Sequence, residues 1–232
     1  MRHEDIQEMQ RLPLFAGVDP ARVQAMLRGS YLQRFPAHVE LVRESDQADF
    51  LHVVVDGQVE VFSAYRDRET TVSVIGPGNS FIVAAVVLDR VYLKSARALT
   101  SARILMIPAN AVRLYFAEDA AFARALALEL ALAYRGVVKE LKNQKLRTSL
   151  ERLANWLLAR DKETGSRGRF DLPFEKRTLA ARLGMAPEVL SRSLASLVPH
   201  KVIVKGSEIQ IHDVESLRGL ASPTPTIDDP EI

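Results

Sequence analysis

The chain has no cysteine among its 232 residues. Disulfides, cysteine-bound iron–sulfur clusters and thiolate zinc sites are therefore excluded from it. Aromatic residues are scarce at 6%, with one tryptophan, so any core is mainly aliphatic. The apolar stretches Ile82–Leu88 and Ala125–Leu128 fall far short of the roughly 20 residues a membrane-spanning helix needs. Met1-Arg2-His3-Glu4-Asp5 is charged and no apolar segment follows it, which predicts no signal peptide, a cytoplasmic location and no membrane partner. Enzyme signatures are missing as well. There is no His-x-His pair, Gly-x-Ser-x-Gly elbow, phosphate-cradling glycine loop or zincin motif, so neither a catalytic set nor a metal-ligand set can be assigned. A cupin-like metal enzyme is the reading from another class, and it lacks clustered ligands.

The formal net charge of +2 hides an asymmetry. Residues 142–213 carry 14 Lys and Arg against 8 Asp and Glu, leaving 17 against 21 for the rest. A basic C-terminal third on an otherwise acidic chain suits a nucleic-acid-facing domain attached to something else.

Residues 4–12 and 20–29 have helical patterning, the second with Asp19 as cap and Pro20 in its first turn. From Tyr31 to Pro108 the pattern turns to β. Leu51–Val55 and Val59–Phe62 flank Asp56-Gly57, a hairpin signal. Thr70–Ile75 and Arg103–Ile107 are further strands, with Gly76-Pro77-Gly78 as a turn. Many short strands with Gly and Pro punctuation predict an antiparallel β-barrel or jelly roll. Helical periodicity then runs through Ala109–Lys145, with a long helix over Phe122–Gln144. In it Ala127, Leu130, Tyr134, Val137, Leu141 and Gln144 alternate three and four apart, the seam of a dimeric coiled coil, interrupted by Gly136.

Thr148–Asp161 reads as a helix, Glu163–Gly168 as a loop and Phe170–Phe174 as a short strand. Thr178–Leu197 holds two short amphipathic helices meeting at Gly184, with Pro187 opening the second: a helix-turn-helix. Val202–Val204 and Glu208–His212 form a hairpin after it, giving the domain a wing. The tail from Ser222 is Pro- and Asp-rich and is expected to be disordered. The expected fold class is α+β, divided into a barrel with N-terminal helices (1–118), a dimerisation helix (119–147), a winged helix-turn-helix (148–220) and a tail (221–232).

Glu188, Ser191 and Arg192 fall at i, i+3 and i+4 on one face of the second helix. Arginine donates bidentately to guanine, glutamate accepts from the cytosine amine, and serine completes a neighbouring base edge. Lys176 and Arg177, with Arg169 nearby, are candidate phosphate contacts.

Barrel, long helix and winged helix-turn-helix, in that order, resemble the CRP/FNR family of bacterial transcription regulators over roughly residues 10–215. Glu188, Ser191 and Arg192 match the Glu-x-x-Ser-Arg signature of the FNR branch, and Pro187 extends it to the form seen in nitrogen-oxide-responsive members of the DNR type. The resemblance implies a homodimer on a palindromic double-stranded DNA site with TTGA-like half-sites, and contact with RNA polymerase. It also implies that Lys176 stands at the family's phosphate-contact position.

The barrel departs from that family. Cyclic-AMP-binding members carry a cassette of the form Phe-x-Gly-Glu-Leu, followed by Arg-Ser-Ala. Here the matching residues are Phe81-Ile82-Val83-Ala84-Ala85 and Lys94-Ser95-Ala96. Val83 replaces the glycine, Ala84 the ribose-binding glutamate and Lys94 the phosphate-binding arginine, so an effector pocket around Val83, Ala84, Lys94 and Ser95 is not expected to take cyclic AMP. Haem is a candidate cofactor in a nitric-oxide or gas sensor, with His3, His38, His52, His200 and His212 as possible axial ligands. A regulator answering a cyclic nucleotide or another small molecule is the alternative.

Overall fold

The computed structural model describes residues 3–66 and 68–229. Two compact units divide the chain, Met1–Tyr134 and Arg135–Ile232.

The N-terminal unit opens with α1 (His3–Met9) and α2 (Pro20–Arg28). Asp19 caps α2 as expected, its Oδ1 accepting from the Ala21 and Arg22 amides at 2.9 and 3.2 Å. Eight strands follow: β1 (Tyr31–Phe35), β2 (Glu40–Val42), β3 (Phe50–Asp56), β4 (Val59–Tyr65), β5 (Arg68–Ile75), β6 (Ser80–Phe81), β7 (Ser95–Ala98) and β8 (Ala102–Pro108). They form two antiparallel four-stranded sheets, ordered β1-β8-β3-β6 and β2-β7-β4-β5, the two layers of a jelly roll. Leu51, Val53, Leu105 and Ile107 share one core with Leu14, Phe15 and Leu27.

One sequence expectation is corrected here. The runs around Asp56-Gly57 are not a hairpin, because β3 pairs with β8 and β6 while β4 pairs with β5 and β7. The Asp-Gly corner carries the chain from one sheet to the other. Gly57 has φ +81°, and a Cβ there would lie 2.8 Å from the Ala102 Cα. The corner is fastened to the segment before β8, with the Gln58 amide donating to Thr100 Oγ1 at 3.0 Å. Local turn chemistry thus gave the turn correctly and the pairing incorrectly. The hairpin lies one strand later, between β4 and β5.

Three helices complete this unit: α3 (Val83–Leu88), α4 (Ala109–Glu118) and the first half of α5 (Ala120–Leu146). Asp119 starts α5 by accepting from the Ala121 and Phe122 amides at 3.0 and 2.9 Å. Those backbone donors, with Arg22, hold its carboxyl below the ordinary value. Phe122 and Leu126 are fully buried. The helix runs through Gly136, where the exposed position tolerates the cost of about 1 kcal/mol relative to alanine.

The C-terminal unit contains the end of α5, then α6 (Ser149–Glu163), β9 (Arg169–Asp171), α7 (Lys176–Arg182), α8 (Pro187–Ser196), β10 (Val202–Lys205), β11 (Glu208–Ile211), α9 (Val214–Ala221) and α10 (Pro225–Asp228). A capping box opens α6: Thr148 Oγ1 accepts from the Glu151 amide while the Glu151 carboxylate accepts from the Thr148 amide. The expected strand 170–174 is shorter and becomes the third member of the wing sheet, ordered β10-β11-β9. Leu153, Leu157, Leu179, Leu190, Leu197, Ile209 and Leu217 make the core.

The expectation of a disordered tail from Ser222 is also corrected, as far as residue 229. Pro225 starts a helical turn, and Lys142 Nζ donates to Thr226 Oγ1 at 2.8 Å. Arg147 binds the Asp228 carboxylate with both terminal nitrogens. Lys142 lies on the long helix and Arg147 just past its end, both far away in sequence, and composition alone cannot reveal them. Residues 230–232 lie outside the described residues. The division into compact units falls inside α5, because the helix buries its first turns in the barrel core and bonds the tail with its last.

Candidate DNA interface and effector pocket

Glycine at 184 answers two demands. Its φ of +61° turns the chain between α7 and α8, and a Cβ there would collide with the Gln144 side-chain amide. Gln144, expected on the seam, instead lies against this turn. Arg152, buried on α6, grips the same place: Nε donates to the Leu183 carbonyl at 2.9 Å, Nη2 to the Gly184 carbonyl at 3.4 Å, and Nη1 to the Arg147 carbonyl at 2.8 Å.

Leu190, Ser193 and Leu194 form the buried side of α8, and Leu197 at its C-cap is buried with them. Its other side presents Glu188, Ser191 and Arg192, all exposed. No ion pair joins Glu188 to Arg192, so both heads are free to meet a partner. Lys176 and Arg177, at the start of α7, are also exposed. Arg169 on β9 is held by Glu208 of β11 at 2.8 Å. Sequence reasoning did not single out Lys205, which stands exposed beside Gly206 (φ +63°) at the tip of the wing. The Lys-Gly pair inside the predicted hairpin was the available signal.

On α5, Tyr134 is 70% exposed, Val137 59% and Leu141 53%. Leu128 and Leu132 are exposed too. Leu130, placed on the same seam by its spacing, is half-buried and packs on the barrel core instead.

None of the residues expected to line an effector pocket lines the 540 Å³ cleft of the barrel. Val83 is buried in the core cluster, Ala84 is exposed, and Ser95 Oγ accepts from the Glu44 amide at 2.9 Å. Lys94 is half-buried, and burial lowers its amine below the ordinary value. The arginine just beyond, Arg97, is already occupied. Its guanidinium binds buried Glu60 at 2.7 Å and Glu69 at 2.6 Å, and lies 4.3 Å above the Phe62 ring. That cleft includes His52 in its lining. Glu129 on α5 accepts from Ser80 Oγ one residue before the cassette, and burial raises its carboxyl despite that bond.

A jelly-roll barrel followed by a winged helix-turn-helix with an exposed polar face defines a DNA-binding regulator. The comparisons particularise it. Residues 32–119 match the model of the cyclic nucleotide-binding domain and residues 151–220 that of the Crp-like helix-turn-helix domain. A CRP-like cAMP-activated global transcriptional regulator of Mycobacterium tuberculosis is 24% identical over 215 residues, covering 89% of this chain and 95% of the relative. Two solved structures share the fold. FixK2 from Bradyrhizobium japonicum has a TM-score of 0.72 and 21% identity, over 84% of this chain and 98% of that one. The c-di-GMP responsive global regulator CLP of Xanthomonas campestris has a TM-score of 0.72 and 19% identity, over 83% and 99%. The chain belongs to the CRP/FNR family of transcription regulators.

Proposed function

We propose that the protein works as a homodimer that reads a palindromic, TTGA-like DNA site under control of an effector sensed by the barrel, and that it has no catalytic activity. The observation that carries this reading is the free, exposed triad Glu188, Ser191 and Arg192 on the face of α8 opposite its buried leucines. Lys176, Arg177 and Lys205 supply phosphate contacts around it. Exposed Tyr134, Val137 and Leu141 supply the dimer seam, which sets two recognition helices about 34 Å apart, one turn of DNA. Contact with RNA polymerase and a cytoplasmic site of action follow from family membership. Among the described residues no helix is long and apolar enough to cross a membrane.

The cAMP activation named for the M. tuberculosis relative is not carried over to this chain. Alanine at 84 offers no ribose acceptor, and Arg97 is saturated by two glutamates. Haem does not fit the described histidines either. His38 and His212 are exposed, and His200 Nδ1 bonds Ser216 Oγ at 3.0 Å. The His3 side chain lies outside the described residues. His52 is buried, but its cleft is rimmed by Glu40, Asp46 and Asp49, which repel two propionates. Glu129, bonded to Ser80 beside the cassette, offers a route from barrel to long helix along which an effector would shift the population of DNA-competent dimers.

Footprinting on a TTGA-type palindrome tests the reading. Wild type protects both half-sites, and Glu188→Ala and Arg192→Ala each lose discrimination at one base pair, worth about 1–3 kcal/mol. Equal protection by both variants would overturn it.

A further inference from the structure

The end of α5 is basic. Over residues 139–147, Lys139, Lys142, Lys145 and Arg147 stand against a single carboxylate, Glu140, which accepts from Gln144 Nε2 at 2.7 Å. The lysines recur at every third position, so they run down one side of the helix. Residues 222–232, by contrast, hold three carboxylates and no Lys or Arg. As far as Asp229, this tail lies across the cations. Lys139 Nζ donates to the Asp229 carbonyl at 2.5 Å, Lys142 Nζ to Thr226 Oγ1 at 2.8 Å, and Arg147 to both oxygens of Asp228.

The tail matches imperfectly what it covers. Arg147 receives a carboxylate, whereas the bonds to Lys139 and Lys142 come from a carbonyl and a hydroxyl, neutral acceptors that hold an ammonium more weakly than an anion does. No residue of α10 is buried, and a cavity of about 300 Å³ remains where the tail crosses Lys142, Leu146 and Arg147. A segment held by polar bonds over an unfilled gap opens at small cost. The covered cations also adjoin the helix-turn-helix. Arg152 Nη1 takes the Arg147 carbonyl while its Nε takes the Leu183 carbonyl at the turn ahead of α8, so one guanidinium spans the two places.

We propose that Lys139, Lys142 and Arg147 form a second surface for the phosphate backbone of double-stranded DNA, and that the acidic tail covers it as an internal competitor that lifts when the duplex binds. This rests on the reading of α8 as the DNA-contacting helix and adds a sequence-independent surface that the chain itself masks.

The probes are the TTGA-type palindrome and a scrambled duplex of equal length, titrated at several salt concentrations. A chain ending at Ser222 binds both duplexes about tenfold tighter than the full chain at low salt, and its slope of log affinity against log salt is steeper by about 2–3, close to one for each cation released. Asp228→Asn in the full chain keeps the tail's length, frees Arg147 alone and steepens the slope by about 1. Losing an acidic tail also removes repulsion at a distance, and Lys139→Ala/Lys142→Ala separates the two effects. In the truncated chain this pair cancels most of the gain. In the full chain, where the tail already holds both lysines, it changes affinity little. A gain that survives the lysine substitutions, or an unchanged slope on truncation, overturns the proposal. Trp156 fluorescence under urea checks that the truncated unit is folded; if it is not, Asp228→Asn decides alone, and an unchanged slope there overturns the proposal. If truncation strengthens binding but the full chain does not distinguish the palindrome from the scrambled duplex, the masked surface stands and the reading of α8 falls.

Discussion

Arg147 and Asp228, 81 residues apart, form a two-bonded ion pair: Nη1 to Oδ1 at 2.7 Å and Nη2 to Oδ2 at 2.5 Å. The arginine side chain is only 7% exposed. The pair straps α10 onto the junction of α5 and α6. Asp228→Ala leaves a nearly buried guanidinium without its carboxylate and is expected to destabilise the C-terminal unit by about 2 kcal/mol. Asp228→Asn loses less. Urea unfolding followed by the fluorescence of Trp156, the chain's only tryptophan, reads this unit selectively.

Gly184→Ala is expected to cost about 1–2 kcal/mol, part from the positive φ and part from the collision with Gln144. Adding Gln144→Ala relieves the collision but not the backbone strain, so the double variant recovers only a portion. Thermal unfolding of the four proteins in this cycle measures both parts.

The proposed phosphate contacts would have a signature distinct from that of the proposed base readers. Lys176→Ala and Arg177→Ala each lower the slope of log affinity against log salt by about 1 and weaken all DNA sequences alike. Titrations of the palindrome and a scrambled duplex at several salt concentrations separate this behaviour from that of Arg192→Ala.

His52 makes barrel stability depend on mildly acidic pH. Its pKa falls from 6.5 to about 4 on folding. Above pH 6.5 the ring is neutral in both states and stability is complete. As pH falls below that, the unfolded chain takes up a proton that the folded barrel refuses, and the loss grows until about pH 4. It amounts to roughly 3 kcal/mol. His52→Phe should flatten the profile between pH 6.5 and 4.5, above the range where the depressed carboxyls Asp119 and Glu151 titrate. Urea unfolding followed by circular dichroism checks it.

The readable parts of the sequence were those whose cause is local. The Asp19 cap, the Gly184 turn, Pro187 and the alternating burial of α8 each rest on neighbours within one helical turn. So does the common exposed face of Glu188, Ser191 and Arg192, since i, i+3 and i+4 share a face in any helix. Pairing between distant segments was not readable. Asp56-Gly57 fixes a turn but not which strands it serves, and Ser222–Asp229 looks structureless until Arg147 and Lys142 are beside it. Leu130 fits a seam by spacing, and only the barrel's own core shows why it faces inward. The His52 cleft escaped for the same reason, because its carboxylates and its aromatic ring lie on separate segments.

The Arg152 guanidinium also says where this protein can be cut and rejoined. It collects carbonyls from Arg147, just past α5, and from the turn ahead of α8, so the last turns of the long helix belong with the C-terminal unit. A graft onto a foreign sensor should therefore be spliced upstream, near Arg135, and carry the chain through Asp229. Splicing at the visible break between α5 and α6 would sever the Arg147 partners and leave the transplanted head loose in its turn.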